Sequence, residues 1–296
     1  MRESELTVAD LPATLCLPED RPRGGVVPLH PAGDGSRHQF LFEQLAQTLV
    51  PRGVAVLRVD RRPSPDGADV PFAVQADDAL EALRVLRAHV GPAPVGLWAW
   101  SQGAWAAALA AARSQGVAFL VLLAACGVSP AEQMRYGTAE QLRRNGYGND
   151  VALRELSELR EAFEDAVRNP GRLATAQAVI DRYADRPWFP LAYVPRTLAP
   201  STDWPDMDFD PAPTLAEIRC PVLLFYGDED EWTPVEPSIG AWRRAAAKAG
   251  NTDLTVIRVP GTDHAPTAGG ILDRAAISPA YTDALAEWLD RRLAKP

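Results

Sequence analysis

The sequence predicts an α/β fold in which helices cover both faces of a mostly parallel sheet. Continuous apolar runs of strand length alternate along the chain with stretches of helical periodicity, which is typical of this fold class. The apolar runs lack polar alternation, as expected for strands that are covered on both faces. The chain has 296 residues, of which 47% are hydrophobic, and this length suits one large domain or a core with an inserted subdomain.

Six apolar runs are predicted as strands, over residues 25–30, 54–60, 95–100, 117–124, 222–227 and 254–259. Two stretches between them, 40–49 and 76–90, space their apolar residues as amphipathic helices do. A last helix is expected to begin at Ser278-Pro279, because serine is a favoured N-cap and proline fits the first helical position.

The alternation of strands and helices stops after residue 128. Ser129 and Glu132 have the spacing of a capping box, and Pro130 stands at the first helical position between them. Further helices are predicted over 151–168 and 174–183, followed by an irregular stretch rich in proline and aromatic residues.

This segment divides the chain into three parts. Long insertions in compact domains are often functional. We therefore predict a helical lid over 129–217, inserted after the sixth strand between two core parts, 1–128 and 218–296. The alternative is a structural excursion that only covers the sheet.

The composition restricts the classes of partner. The formal net charge is −9, and an acidic chain without basic clusters binds nucleic acid and anionic membranes poorly. The N-terminus has no apolar leader segment, and no apolar run reaches the ~18 residues of a membrane span. We expect a small-molecule partner, no nucleic acid and no membrane; the sequence carries no signal of oligomeric state.

The cysteines indicate a reducing compartment. Cys16, Cys126 and Cys220 are odd in number, far apart and set in apolar surroundings. We expect reduced, buried thiols and therefore a cytoplasmic protein. The lack of a C-x-x-C pair argues against a structural zinc site.

A serine lies at the junction of a predicted strand and a predicted helix. The apolar run 95–100 ends at Ser101, and an alanine-rich helical run begins at Gly103. This is the arrangement of a nucleophile elbow, whose usual form G-x-S-x-G here has Ala99 at its first position. The turn also places the N–H of Gln102 at a helix N-terminus, where negative charge is favoured.

A serine nucleophile requires a base that takes its proton and a third group that orients the base. His264 lies beyond the last predicted strand, and a run of carboxylates, 228–231, comes after the strand before it. From the residues alone, all four of these carboxylates remain candidates for the orienting acid, and Asp228 is kept as the alternative to Asp230. The other histidines are expected on the surface or in a loop: His38, His89 and His30.

These residues, in this order and in these strand contexts, resemble the α/β-hydrolase superfamily. The chain is most similar to lidded bacterial esterases close to its dienelactone-hydrolase and prolyl-oligopeptidase-like members. The segment Gly227-x-x-Asp230-x-x-x-Pro234 resembles the superfamily pattern in which the aspartate completes the triad. The resemblance therefore implies an α/β-hydrolase fold with Asp230 as the acid.

The loop over 29–35 resembles the H-G-x-x-G loop of the superfamily, with Pro31 in place of the usual glycine. The resemblance implies that the N–H of Ala32 serves an oxyanion hole beside the N–H of Gln102. Proline has no N–H and fixes φ at about −65°, so it alters the loop without removing this donor. Residues 59–62 are similar to the D-x-R loop after the fourth strand.

The resemblance implies acyl transfer without a cofactor or a metal. Ser101 attacks an ester, thioester or amide carbonyl, His264 transfers the proton, and Asp230 orients His264 before water releases the acyl group. The predicted substrate-binding residues lie beside the nucleophile, beside the acid and in the lid: Trp100, Trp232, Met134 and Trp188. They favour an apolar or aromatic small molecule; the alternative is that they pack the lid onto the core.

Two other classes of function stay open. The first is an acyltransferase, a thioesterase or a cyclase, each of which uses the same triad. The second is a non-catalytic ligand-binding protein, which shares the fold but does not need the triad. Epoxide hydrolase and dehalogenase chemistry is disfavoured, because those relatives carry aspartate at the position of Ser101.

Overall fold

The computed structural model describes residues 1–33, 35–63 and 70–293, and within them eight strands form one sheet. The strands are β1 (Arg2–Val8), β2 (Leu11–Leu17), β3 (Gly24–Leu29), β4 (Val54–Val59), β5 (Val95–Trp100), β6 (Leu120–Leu123), β7 (Val222–Gly227) and β8 (Leu254–Val259). Their order in the sheet is β1-β2-β4-β3-β5-β6-β7-β8. β2 is antiparallel to β1 and to β4, and the remaining neighbours are parallel, so the predicted mostly parallel sheet is confirmed.

The six predicted strands are β3 to β8, and the bounds of β5, β7 and β8 agree with the prediction. β6 is shorter than predicted: the strand begins at Leu120, although Ala118 and Phe119 already bond to the backbone of β5. The hairpin of β1 and β2 was not predicted. β1 is an edge strand that is exposed along most of its length, so it lacks the continuous apolar run that marks the buried strands.

Helices cover both faces of the sheet, as predicted. They are α1 (Phe40–Leu49), α2 (Phe72–Val90), α3 (Gly103–Arg113), α4 (Pro130–Arg144), α5 (Asp150–Arg168), α6 (Leu173–Tyr183), α7 (Pro211–Leu215), α8 (Val235–Ala249) and α9 (Pro279–Arg292). Successive strand residues point to opposite faces. In β5, Leu97 joins the core under α2, α3 and α8, whereas Trp98 joins the core under α1 and α9. The indole N–H of Trp98 donates to the hydroxyl of Tyr281 at 2.9 Å.

Helices α4 to α7 lie between β6 and β7, and we call residues 129–217 the helical insertion. The predicted capping box is present: Ser129 Oγ accepts from Glu132 N, and Glu132 Oε2 accepts from Ser129 N. The insertion has an apolar core of its own, which includes Leu156, Leu159, Ile180, Trp188 and Phe189.

The sheet brings the loops that carry the candidate residues together. β5, β7 and β8 run parallel, so their carboxyl ends lie at one edge, where ligands bind in open α/β sheets. In the part of the chain that the structure describes, no helix has both the length and the apolar content to cross a bilayer.

Candidate active site

Ser101 occupies a strained turn between β5 and α3. Its φ is 54°, in the left-handed region that non-glycine residues seldom adopt. The turn packs tightly on the neighbouring loop. A Cβ added to Gly103 would lie 2.6 Å from the carbonyl oxygen of His30 and 2.9 Å from that of Leu29. Glycine is therefore required two residues after the serine, whereas buried Ala99 is accommodated two residues before it.

Ser101, His264 and Asp230 form a continuous chain of hydrogen bonds. Nε2 of His264 lies 2.8 Å from Ser101 Oγ, and its Nδ1 lies 2.9 Å from Asp230 Oδ1. Asp230 Oδ1 also accepts the backbone N–H groups of Trp232 at 2.9 Å and Thr233 at 2.8 Å. These bonds orient the carboxylate toward the imidazole.

The structure distinguishes between the two candidate acids. The side chain of Asp230 is fully buried against His264. The side chain of Asp228 is 46% exposed and lies 3.2 Å from Nε of Arg258. Of these two carboxylates, only that of Asp230 is brought to the imidazole.

Burial and charge shift the pKa values of Asp230 and His264 in opposite directions. Burial raises the pKa of Asp230, but the charge and hydrogen bond of His264 and the N–H groups of Thr233 and Trp232 outweigh it, so the pKa lies below 3.8. Burial lowers the pKa of His264, but Asp230 outweighs it, and the pKa lies above 6.5. Asp230 is therefore a carboxylate at neutral pH, and His264 binds a proton more readily than a free imidazole.

A cavity of about 800 Å³ opens over Ser101 and His264. The sheet-bearing part of the chain lines it with Pro31, Ala32, His38, Gln39, Phe40, Trp100, Ser101, Gln102, Trp105, Trp232, His264 and Leu272. The helical insertion lines it with Pro130, Gln133, Met134, Arg160, Phe163, Tyr193, Asp203 and Trp204. The surface that a ligand would meet is thus mostly apolar and aromatic.

Three of the four predicted substrate-binding residues line this cavity: Trp100, Met134 and Trp232. The prediction for Trp188 is corrected by the structure. Trp188 is 3% exposed in the core of the helical insertion, with its ring centroid 6.1 Å from that of Tyr183. Its side chain packs the insertion internally and is not among the described residues that line the cavity.

Sequence reasoning missed other lining residues. His38 was expected on the surface; its side chain is 55% exposed, but it borders the cavity. Phe163 was expected only on one side of a helix, and it lines the cavity as well. Tyr193 and Trp204 were expected among the lid aromatics that favour an apolar acyl group, and both line the cavity. Helical periodicity marks Phe163 as apolar, but no local signal tells which apolar residues face the insertion's core and which face a ligand.

Trp100 and Trp232 also hold the site together. The indole N–H of Trp100 donates to the carbonyl oxygen of His264 at 3.0 Å. The ring of Trp232 meets that of Tyr193 edge to face, with centroids 5.1 Å apart. It lies against Gly137 of α4, where an added Cβ would be 2.4 Å from Trp232 Cε3. The loop that carries Asp230 is thus packed directly on the helical insertion.

A buried guanidinium, that of Arg160, borders the cavity. Its side chain is 2% exposed, and Nη2 lies 3.3 Å from Oε1 of fully buried Glu164. The guanidinium also lies 5.6 Å from the ring centroids of both Phe163 and Trp204. Arg135, whose Nε is 2.9 Å from Glu164 Oε2, joins the same ion pair. Two guanidiniums thus share one carboxylate, and Nε of Arg160 is buried without a hydrogen-bond partner among the described residues. The contacts of Arg160 with both rings hold these aromatic residues in place.

Ala32 and Gln102, the predicted oxyanion donors, line the cavity together with Ser101. Gln102 is the N-cap of α3, so its N–H belongs to the positive end of that helix. Within the described ranges, no group of three or more His, Cys, Asp or Glu side chains is placed to hold a metal ion.

Comparisons with known proteins agree with this architecture. A sequence model of the alpha/beta hydrolase family matches residues 26–270. A comparison with curated protein sequences gives no match.

Solved structures of esterases and of a peptidase share the fold. A thermostable carboxyl esterase from Bacillus coagulans is similar with a TM-score of 0.61 at 16% identity, covering 99% of both chains. An esterase from Pyrococcus furiosus has a TM-score of 0.60 at 14% identity, covering 99% of this chain and 91% of that one. A proline iminopeptidase from Mycobacterium smegmatis has a TM-score of 0.57 at 16% identity, covering 98% of both chains.

Proposed function

Because the chain belongs to the alpha/beta hydrolase family, we propose that it is a serine hydrolase that cleaves a carboxylic ester of an apolar or aromatic small molecule. The observation that carries this proposal is the hydrogen-bonded chain from Ser101 through His264 to buried Asp230, at 2.8 and 2.9 Å. Nucleophile, base and orienting acid are in reach of one another, and the first two border a cavity of substrate size.

The proposed reaction has two halves. Ser101 Oγ attacks the ester carbonyl while Nε2 of His264 takes its proton, and the N–H groups of Ala32 and Gln102 hold the negative oxygen. The imidazolium then gives the proton to the leaving alcohol, and the acyl group remains on Ser101. Water attacks this acyl-enzyme with His264 again as base, releasing the acid and restoring the serine.

Asp230 keeps His264 in the required orientation throughout. Its carboxylate accepts from Nδ1, so Nε2 of the neutral ring faces Ser101 as an acceptor. When the ring takes the serine proton, the buried negative charge stabilises the imidazolium.

The helical insertion acts as the proposed lid and sets substrate choice. It contributes Met134, Phe163 and Trp204 to the cavity, opposite a lining that includes Trp100 and Trp232 from the core. Neutral substrates with apolar or aromatic groups bury their surface against these side chains. Glu164 is shared by Arg160 and Arg135, so this cluster keeps a net positive charge beside the cavity, and the apolar assignment rests on the aromatic lining.

A fluorophosphonate probe tests the nucleophile. Intact mass is measured for the parent and for Ser101→Ala after exposure to the probe. We expect one adduct on the parent and none on the variant, since the probe reacts with activated serines. The absence of an adduct on a folded parent would contradict the proposal.

An ester series tests the substrate class. Nitrophenyl esters of neutral aliphatic, aromatic and carboxylate-bearing acids are compared by kcat/KM. We expect the neutral apolar and aromatic esters to be hydrolysed fastest, because the cavity gains binding energy from apolar contact. A preference for the anionic ester would overturn the apolar assignment while leaving the serine mechanism intact.

A further inference from the structure

We propose that Arg61 is a positioning residue of the oxyanion hole, and that its guanidinium fixes the peptide between Pro31 and Ala32. This inference rests on the proposed function, because it concerns the same oxyanion donor. Arg61 lies two residues beyond the end of β4, outside the set of described residues that line the cavity. It therefore acts on the site through the loop and not on the substrate.

The side chain of Arg61 contacts both segments that are proposed to supply oxyanion donors. Nη1 donates to the carbonyl oxygen of Pro31 at 2.8 Å, and Nη2 donates to the carbonyl oxygen of Gly33. Nη1 also lies 3.4 Å from Oε1 of Gln102. One planar guanidinium thus ties the loop after β3 to the first residue after the nucleophile, and its fork suits several acceptors at once.

The backbone of Arg61 adds a further tie, since its N–H donates to the carbonyl oxygen of Gly35 at 2.8 Å. The loop is thereby attached to the end of β4 through both main chain and side chain. Such attachment matters for a loop that must present a donor at a fixed point.

The hydrogen bond from Arg61 to the Pro31 carbonyl also determines which way the backbone N–H of Ala32 points. In a trans peptide the C=O of one residue and the N–H of the next point to opposite sides. Because the Pro31 carbonyl faces Arg61, the Ala32 N–H faces away from Arg61. Ala32 lines the cavity with Ser101, whereas Arg61 lines a different, smaller pocket. The side away from Arg61 is therefore the side on which the oxyanion forms.

Pro31 does not supply this restraint by itself. Its ring fixes φ, but the 31–32 peptide turns about ψ of Pro31 and φ of Ala32, which the ring leaves open. A flipped peptide would turn the Pro31 carbonyl oxygen toward the negative oxygen of the intermediate and remove one donor. The guanidinium of Arg61 holds that carbonyl on the other side.

Three variants test the role. Arg61→Met removes the donors and keeps an apolar stem; Arg61→Lys keeps a single cation that reaches one carbonyl. Arg62→Met is the matched control, because Arg62 pairs with Asp78 at 2.7 Å. For each variant, kcat and KM are measured on a nitrophenyl ester. The affinity for a boronic acid is also measured, because its adduct with Ser101 mimics the tetrahedral intermediate.

Losing one oxyanion donor lowers kcat by roughly a hundred- to a thousand-fold in serine hydrolases, and loss of its positioning should cost less. We expect Arg61→Met to lower kcat and boronate affinity by roughly ten- to a hundred-fold with KM within about twofold. Arg61→Lys should recover part of both, and Arg62→Met should leave both within about twofold of the parent.

The outcomes separate the two proposals. A parent without Ser101-dependent hydrolysis overturns the proposed function, and this inference with it. An active parent with unchanged kcat in Arg61→Met overturns the inference alone. A loss of thermal stability with boronate affinity unchanged assigns Arg61 a purely structural role, which also overturns it. If Arg61→Met does not fold, Arg61→Gln, which lacks the cation and has a shorter side chain, decides: a parental kcat contradicts the inference, and a lowered kcat with KM retained supports it.

Discussion

Asp228 and Asp230 lie two positions apart on one loop and meet different partners. Asp230 is buried against His264, and Asp228 lies beside Arg258 in contact with solvent. Asp230→Asn removes the charge that orients the imidazole and favours the wrong tautomer, so we expect kcat to fall by roughly 10³- to 10⁴-fold. Ester hydrolysis under saturating substrate measures the effect.

Asp228→Asn is the matched control for that change. It alters the same loop by the same chemistry but leaves the imidazole untouched, so kcat should stay within about threefold of the parent, because exposed ion pairs contribute little. Equal losses in both variants would contradict the assignment of Asp230 as the orienting acid.

Gly103 is where the nucleophile turn approaches the loop after β3. In Gly103→Ala the new methyl group would meet two backbone oxygens, at 2.6 and 2.9 Å, that cannot move as a side chain does. We expect a loss of roughly 1–3 kcal/mol in unfolding free energy. Urea denaturation measures that loss, and a slower fluorophosphonate reaction at displaced Ser101 should accompany it.

Gly171 provides the comparison for this substitution. It lies in an exposed 3₁₀ helix, Pro170–Arg172, and an added Cβ would have no atom within 4 Å. Gly171→Ala should change stability by no more than about 0.5 kcal/mol. If both variants were equally stable, close packing would not explain the glycine in the elbow.

At the level of elements, the buried strands and the residues at their carboxyl ends could be predicted from the sequence. Ser101 and His264 were identified because they come after an apolar run, and parallel strands carry such positions to one edge of the sheet. The same signal left Asp228 and Asp230 both open, and the family resemblance favoured Asp230. The first helix of the insertion was predicted from Ser129 and Glu132, whose side chains form the capping box. The apolar runs and the capping-box spacing are local patterns, so they can be recognised in a single sequence.

β1 pairs locally with β2, with Val8 opposite Leu11, and it escaped prediction because it is an exposed edge strand without an apolar run. The residues that escaped prediction depend instead on non-local packing. Trp188 was placed in the substrate site because of its aromatic type, whereas the structure buries it beside Tyr183. Trp204, from the same irregular stretch, lines the cavity. Composition identifies both as large and apolar, and only the packing of α5 and α6 decides which one meets a ligand.

Gly137 is the point where α4 meets the loop that carries the acid. A methyl group there would lie 2.4 Å from Cε3 of Trp232. The backbone N–H of Trp232 donates to Asp230, and Trp232 lines the cavity. Gly137→Ala should therefore raise KM for aromatic esters by roughly three- to tenfold, as a displaced aromatic contact predicts. Michaelis–Menten kinetics on an aromatic and a small aliphatic ester measure it.

Gly240→Ala in α8 controls for helix propensity. Its Cβ would meet the terminal Nη1 of Arg244 at 3.1 Å, a flexible end that can move aside. Both substitutions favour the helix by up to about 1 kcal/mol, so Gly240→Ala should raise stability and leave KM unchanged. A parental KM in Gly137→Ala would show that α4 does not set the position of Trp232.

At the scale of the whole molecule, acid acts on activity and on stability in opposite senses through His264. Asp230 outweighs burial and holds the pKa of His264 above 6.5. The reaction needs the neutral imidazole as base, so kcat/KM should fall as the pH drops through this raised pKa. A profile of kcat/KM against pH should show an acid limb whose midpoint lies above 6.5.

The free energy of unfolding changes with pH in the opposite sense to the activity. A pKa that is higher in the folded state contributes stability that is fully present below the unfolded value of 6.5 and is lost as the pH rises through the folded pKa. The lowered pKa of Asp230 contributes stability above 3.8 that is lost as the pH falls through its folded pKa. The pair therefore stabilises the fold most in the mildly acidic range, where the base is protonated and the activity is low.

His264→Gln separates this linkage from the titration of all other groups. The unfolding free energies of parent and variant are compared at about pH 5.5 and about pH 9, and the parent's advantage should be larger at the lower pH. Ser101→Ala keeps the pair of His264 and Asp230, so it should retain the parental pH dependence of stability although it is inactive. An advantage that is equal at both pH values would mean that folding does not raise the pKa of His264, and an acid limb with its midpoint above 6.5 would then have to arise from another group.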